Sequence, residues 1–385
     1  MKCEQFGVCG GCTYNIPYNE ELRLKEAEVL RLFEEAAIST GEYLGVLAAP
    51  SPCEYRNKME FAFGDSNGKD SPLCLGMRKR RSFYEVADAR ICTLVDADFR
   101  KIVSLVTDYF SNTGEKFFHR RTRTGALRHL IVRKGHFTGE ILVNIVTSPS
   151  LAAPLEPLAN ALSQLELART LAGILHTTNS SVADAIICDK LEVLRGRAFF
   201  RERLLGLDFN ISAFSFFQTN SAGAELLYDT AVKFANCQPG DTVFDLYSGT
   251  GTITQIIASC GASKVIGVES VAEAVQSARE NAALNNIGNC EFICDDVLKA
   301  VGEISEHPNI VILDPPRSGA TPKALAKILA LRANKIVYIS CKPSSLVRDL
   351  QTFTSEGYTV KATKLVDLFP RTAHIEAVAL LQLEE

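Results

Sequence analysis

From about Gly206 to its end, this chain of 385 residues alternates short apolar runs with helical stretches, and that rhythm constrains its fold more than any other feature. The runs are residues 242–246, 265–268, 291–294, 310–313 and 336–339, and the intervening segments include helices predicted over 252–259 and 272–286. Strands apolar on both faces and separated by helices form a parallel sheet covered on both sides, a doubly wound α/β fold. Its ligand crevice lies at the carboxyl ends of the strands. Residues 1–205 lack the rhythm. They offer a helix over about 20–37, with Leu22, Val29, Leu30 and Phe33 available for one face, then β-rich runs at 58–63 and 130–133. The expected organisation is an α+β module over 1–205, whose first helix can pack on the second domain, followed by a Rossmann-like domain over 206–385.

Composition excludes several classes. With 46% hydrophobic and 22% charged residues the chain is neither disordered nor fibrous. No apolar run nears the roughly 18 residues that span a bilayer, and the first residues lack the apolar stretch of a signal peptide. A cytoplasmic monomer without a membrane partner is expected. The net charge of −4 argues against an acidic partner, but it is an average. Residues 56–134 carry 17 Lys and Arg against 9 Asp and Glu, a balance of +8, whereas residues 206–385 carry 14 against 20, a balance of −6. The basic part gathers in Arg78, Lys79, Arg80 and Arg81 and in Arg120, Arg121, Arg123 and Arg128. A solvated face is the plainer reading of such a run; a phosphate-binding surface is the other. Of the 12 cysteines, Cys3, Cys9 and Cys12 crowd one end. In a long chain without an export signal, such spacing suggests metal binding or catalysis more than disulfides.

After the first strand comes Asp245-Leu246-Tyr247-Ser248-Gly249-Thr250-Gly251-Thr252. Two glycines allow close passage of a ligand, yet Thr254 stands where a dinucleotide fingerprint would place its third glycine. Glu269 ends the second strand, where a carboxylate can accept both ribose hydroxyls, and Asp295-Asp296 follow the third, where they can take an adenine amino group. An acid-rich pocket without a pyrophosphate cradle suits the cationic sulfonium of S-adenosylmethionine and would repel a dinucleotide. A methyltransferase is therefore favoured over a dehydrogenase.

Asp314-Pro315-Pro316-Arg317 closes the fourth strand. The stretch is similar to the motif of amino-methylating enzymes, but Arg317 replaces the aromatic residue that follows the prolines there. Ser340-Cys341-Lys342-Pro343 closes the next strand and opens a helix. A thiol there, beside Lys342, is expected to favour its thiolate, which makes Cys341 a candidate nucleophile. A packed cysteine is the alternative. In Arg371 to Val378, His374 and Glu376 share one face of an extended chain. Glu376 is a candidate general base or else a surface carboxylate, and His374 can be purely structural.

Together with Ser215-Phe216-Phe217-Gln218-Thr219-Asn220, these motifs resemble in order and spacing those of the RNA 5-methyluridine methyltransferases, over residues 208–380. The resemblance implies that Cys341 attacks carbon 6 of uracil and Glu376 removes the carbon-5 proton. It implies that Gln218, Tyr247, Thr252, Glu269, Asp296 and Asp314 bind S-adenosylmethionine, with Asp314 also meeting the uracil edge. It further implies a 4Fe-4S cluster on Cys3, Cys9, Cys12 and a distant fourth cysteine, for which Cys92 fits better than Cys53 or Cys74. Zinc on the same thiolates is the alternative. Many rRNA enzymes of the family open with a small β-barrel RNA-binding domain, whereas this chain starts at the cysteine run, so RNA affinity is expected from the basic central module. The expected target is 23S rRNA, with tRNA as the alternative. A nitrogen methyltransferase and a non-catalytic iron-sulfur RNA-binding protein are the remaining readings.

Overall fold

The computed structural model describes residues 3–68, 71–183 and 185–384. In chain order, α1 (Tyr18–Glu35) and β1 (Glu42–Leu47) precede β2 (Lys58–Asp65), β3 (Leu73–Arg78) and β4 (Val86–Asp88). Next come α2 (Ala97–Thr113), β5 (Leu127–Lys134), β6 (Glu140–Thr147), α3 (Glu156–Gln164), β7 (Thr170–Thr178) and β8 (Lys190–Gly196). A hairpin of β9 (Phe199–Leu204) and β10 (Leu207–Ser212) leads to α4 (Ser221–Ala235). The expected alternation then runs through β11 (Thr242–Leu246), α5 (Thr252–Ser259), β12 (Lys264–Glu269), α6 (Ala272–Leu284), β13 (Cys290–Cys294) and α7 (Val297–Glu303). It ends with β14 (Ile310–Leu313), α8 (Pro322–Ala330), β15 (Lys335–Ser340), α9 (Pro343–Ser355), β16 (Tyr358–Val366) and β17 (Glu376–Leu383).

The continuous apolar runs do become strands, the run at 291–294 forming an edge of the sheet and the others its middle. They lie in an eight-stranded sheet of order β1-β16-β17-β15-β14-β11-β12-β13. Strands β11 to β15 are parallel, and their residues divide between two buried clusters, one on each face. The winding reverses between β11 and β14, which opens the crevice at the carboxyl ends of those two strands. One difference from an all-parallel sheet is β17, which runs antiparallel to both β15 and β16. Its direction puts the amino end of β17, Glu376, beside the carboxyl end of β15, where Ser340 pairs with Ala377.

A second difference concerns the chain's first elements. Strand β1 pairs in parallel with β16, and Val29 and Phe33 of α1 belong to the same core as Phe353, Tyr358 and Val360. Residues 18–47 thus complete the catalytic sheet, although the sequence rhythm starts only near Gly206. The reason is charge as well as burial. Lys25 of α1, 3% exposed, lies 2.8 Å from Glu21 and 2.9 Å from Asp367, both wholly buried. The other module is a seven-stranded sheet of order β4-β3-β2-β5-β6-β7-β8, with α2 and α3 sealing a core that includes Phe61, Phe99, Phe110 and Leu158.

Among the described residues, no helix is long and apolar enough to cross a membrane.

Candidate active site

A cleft of about 1200 Å³ opens at the switch point between β11 and β14. Tyr247, Ser248, Gly249, Thr250 and Thr252 line it from the loop after β11, Glu269 from the end of β12, and Asp314 to Arg317 from the end of β14. Cys341 lines it from the end of β15, and His374 and Glu376 from the approach to β17. Gln218 and Tyr228 complete the wall from the start of α4 and the loop before it. Residues far apart in sequence meet here because every one lies at a strand's carboxyl end or beside it.

The loop after β11 needs unusual backbone. Tyr247, Gly249 and Gly251 all have positive φ (69°, 54° and 71°). At Gly251 an added Cβ would come within 2.6 Å of Phe292 and 2.8 Å of Ala278, so no larger residue fits. Thr254, where the third glycine of a dinucleotide fingerprint would stand, donates its hydroxyl to Asp245, a carboxyl with no exposure. The second Asp245 oxygen has no partner among the described residues, nor has the Ser248 hydroxyl beside it. Glu269 accepts from the Gly249 amide at 3.1 Å and the Val271 amide at 2.9 Å, which ties the loop to β12. Asp296 does not line the cleft. It is exposed and caps α7 by accepting from the Leu298 amide at 2.8 Å. Its nearest link to the site is Tyr247, whose hydroxyl pKa its charge helps raise, after burial.

The second half of the site is a set of acids held against their ionisation. Glu376, 3% exposed, has its carboxyl pushed up to about 8 by burial and then by Asp314. Asp314 is pushed up to about 7 by burial and then by Asp245, and Asp245 to about 7 by burial. The same setting reverses the expectation for Cys341. Burial, then Glu376, then Asp314 push its thiol up to about 11, and Arg317 opposes them only in part. Burial first, and then the neighbouring acids, disfavour the thiolate in the free protein. A cation entering the cleft would shift all four groups toward ionisation.

Several supporting residues escaped sequence reasoning. Arg133, buried on β5, donates to the carbonyls of Ser212 and Ser215, each at 2.7 Å, and to that of Ala213 at 3.2 Å. Asn57 donates its amide to the Gln218 carbonyl at 3.0 Å and to the Ser221 hydroxyl at 2.7 Å. The seven-stranded module thus clamps the loop carrying Gln218. Ser345 of α9 donates to the Arg317 carbonyl at 2.9 Å, and Asp349 accepts from the Ala320 amide at 2.9 Å. These bonds fix the Asp314 loop against the helix that follows Cys341. Arg317 also meets His374 Nδ1 at 3.0 Å, and His374 is kept neutral by burial and by Arg317.

The cysteine run lies apart from the cleft. Cys3, Cys9, Cys12 and Cys92 line one cavity of about 90 Å³, and their coupling contributes to pushing the Cys12 thiol up to about 12, after burial. Arg80 donates to the carbonyl of Cys9 at 3.3 Å and of Cys12 at 2.5 Å. Cys53 and Cys74 do not line that cavity. Among the described residues, no three or more Cys, His, Asp or Glu side chains are gathered as ligands of a single ion. The structure therefore shows the four thiols around one space and no assembled ligand set.

The fold and the acid-lined cleft define a Rossmann-like S-adenosylmethionine-dependent methyltransferase. A family model described as tRNA (uracil-5-)-methyltransferase matches residues 155–384. An uncharacterized RNA methyltransferase of Caldanaerobacter subterraneus subsp. tengcongensis is 48% identical over 382 residues, covering 99% of this chain and 84% of that one. One of Clostridium acetobutylicum is 47% identical, covering 99% and 83%. The crystal structure of the Pyrococcus abyssi tRNA (uracil-54, C5)-methyltransferase, in complex with S-adenosyl-L-homocysteine, superposes with a TM-score of 0.79 at 26% identity. The match spans 97% of this chain and 86% of that one. This chain belongs to the tRNA (uracil-5-)-methyltransferase family and is an S-adenosylmethionine-dependent RNA (uracil-C5)-methyltransferase. The expectation of 23S rRNA as target is corrected by the family model and by the Pyrococcus abyssi structure, whose descriptions both name tRNA.

The raised carboxyls give a pH signature. An acid whose pKa is raised on folding stabilises the fold fully below its unfolded value and ceases to as pH climbs through its folded value. For Asp245, Asp314 and Glu376 the loss runs from the ordinary carboxylate range up through about 7 to about 8. Urea denaturation of the substrate-free protein should show a loss of a few kcal/mol between about pH 5 and about pH 9. Glu376→Gln should lose less over that range; equal slopes for the two proteins would contradict the assignment.

Proposed function

We propose that the cleft methylates carbon 5 of a uridine in tRNA. The observation that carries this reading is the convergence of Cys341, Glu376 and Asp314 on one cleft with the loop after β11. Carbon 5 of uracil is a poor nucleophile. The Cys341 thiolate adds to carbon 6, and the electron pair of the 5,6 double bond passes into an enolate. Carbon 5 then takes the methyl group, leaving S-adenosylhomocysteine. The Glu376 carboxylate accepts the carbon-5 proton, the double bond re-forms, and Cys341 departs as thiolate. A sulfonium cation in the cleft lowers the thiol and carboxyl pKa values together, which supplies the ionised Cys341 and Glu376 that the free protein disfavours.

Asp314 is assigned to the uracil edge. Gln218, Tyr247, Thr252 and Glu269 are assigned to S-adenosylmethionine, with the unpartnered Asp245 oxygen and Ser248 hydroxyl as further polar groups. Asp296 is retained only as a rim residue. The target base has to leave its stack to reach Cys341, at a cost of a few kcal/mol, which favours a loop nucleotide. Position 54 is the one named for the Pyrococcus abyssi enzyme and is the first to examine here. All twelve cysteines are free, in keeping with a reducing, cytoplasmic location.

A 4Fe-4S cluster on Cys3, Cys9, Cys12 and Cys92 belongs to the same proposal. A cluster several ångströms across needs thiolates standing around a cavity, which is how these four stand, whereas zinc would need them gathered on one point. The Gly11 amide donates to Cys9 Sγ at 3.3 Å, an orientation that favours a sulfur bearing negative charge. The cluster would brace the amino-terminal loop and take no part in methyl transfer.

Labelled methyl from S-adenosylmethionine, incubated with tRNA lacking 5-methyluridine, should appear as 5-methyluridine on nucleoside mapping. Label found only in other nucleosides would overturn the reading. The anaerobically purified full chain should contain iron and inorganic sulfide in equal amounts, with visible absorption that Cys12→Ser abolishes. Zinc, or no metal at all, would refute the cluster.

A further inference from the structure

The structure divides the basic patch into two kinds of residue. Arg128 is buried and donates to the Ser148 hydroxyl at 2.9 Å and the Ser181 carbonyl at 2.5 Å, with its guanidinium 3.7 Å from the Phe118 ring centroid. Lys79 is tied to the Ser66 carbonyl and Glu85, and Arg80 to the cysteine loop. These side chains serve the fold. Arg81, Arg120, Arg121 and Arg123 differ: they are exposed and have no ion pair among the described residues. Phe83 stands with them, 75% exposed, the most exposed large apolar side chain of the described residues.

These five residues come from two loop tips that one contact locks together. Tyr84, next to Phe83, stacks on His119, next to Arg120, with ring centroids 4.1 Å apart and planes within 15°. The second tip is rigid: the Arg123 amide donates to the His119 carbonyl at 2.7 Å, and the His119 amide to the Thr124 carbonyl at 2.8 Å. Arg81 and Arg123 both adopt positive φ, 62° and 57°, so each tip turns sharply at an arginine. A groove connects the strand that leads into the first tip with the catalytic cleft. It encloses about 550 Å³ on the outer face of β2, β3 and β5, is floored by Ala62 and Gly76, shares Ile186 with that cleft and reaches Arg78, just before the first tip.

We propose that Phe83 and the four exposed arginines form a landing platform for single-stranded RNA flanking the target uridine, one base stacking on Phe83 and successive phosphates meeting the arginines. A cationic aromatic tip suits an unpaired strand, because an unstacked base offers a face to the ring and the backbone offers its charge to guanidinium groups. The flanking strand would reach the cleft along the outer groove. The proposal rests on RNA being the substrate, and deepens that reading by placing the contact outside the methyl-transfer site.

The test measures binding, so its outcome does not depend on turnover. Fluorescence anisotropy with a tRNA transcript and with a single-stranded RNA of mixed sequence should show Phe83→Ala weakening both about tenfold, and Phe83→Tyr restoring them. Arg120→Ala, Arg121→Ala and Arg123→Ala combined should reduce the slope of log affinity against log salt by about 2, from three lost phosphate contacts. S-adenosylmethionine binding by calorimetry should be unchanged in each variant, showing an intact fold. Unchanged RNA affinity and unchanged salt slope in variants that still bind S-adenosylmethionine would overturn the platform. Failure of the wild type to methylate tRNA while these binding losses persist would refute the proposed function and leave the platform standing.

Discussion

A single buried ammonium organises the join between the chain's beginning and its end. Lys25 lies between Glu21 and Asp367, and it also donates to the Phe369 carbonyl at 3.2 Å. Tyr18 donates to the same Asp367 at 2.9 Å, and the Arg371 amide donates to Glu21 at 2.6 Å. Around this network α1 is held on the loop that runs from Asp367 to Glu376. The Arg371 carbonyl in turn accepts from the amides of Thr13 and Tyr14, at 2.6 and 3.0 Å, so the cysteine loop hangs from the same point. Taking one charge from such a network leaves its partner buried and alone, a loss of roughly 3–5 kcal/mol. The position of Glu376 thus depends on ion pairs more than 340 residues apart in sequence.

The cleft that this network helps to shape is built to be charged only when it is filled. Asp314, Glu376 and Cys341 line the cleft and Asp245 is buried outside its lining; burial first, and then neighbouring acids, make each of them harder to ionise. In the free protein burial, and then Glu376 and Asp314, push the Cys341 thiol up and disfavour its thiolate. On the proposed mechanism a cationic methyl donor supplies the missing positive charge, so that its binding and the activation of Cys341 are one electrostatic event.

The sequence was most legible where its pattern repeats. Strands β11, β12, β14 and β15 stand out because both their faces are buried, and the motifs at their carboxyl ends fall in the cleft that opens on that edge of the sheet. Cys341, Glu376, Asp314, Gln218, Tyr247, Thr252 and Glu269 all line it. Asp296, also expected there, lies outside that lining and caps α7, since an acid after a strand can as well cap the next helix. Lys342 beside Cys341 was visible in sequence, whereas the burial that most raises its thiol, and then Glu376 and Asp314, arise only in the fold. Asn57 and Arg133 gave no signal at all: their role is to hold the backbone of a loop some 80 to 160 residues away. The charge run containing Arg128 could not be divided into buried and exposed arginines without knowing that β5 starts at Leu127, which buries Arg128 in the sheet and leaves Arg120, Arg121 and Arg123 on the exposed loop before it.

The central claim is a covalent bond between Cys341 and the target base. RNA carrying 5-fluorouridine tests it most directly, because carbon 5 then has no proton for Glu376 to remove and the reaction stops at the adduct. With S-adenosylmethionine and a 5-fluorouridine tRNA transcript, mass spectrometry of the digested complex should find the methylated fluorouridine on the peptide containing Cys341, and none with Cys341→Ala. An adduct that persists in Cys341→Ala, or that maps to another residue, would contradict the account.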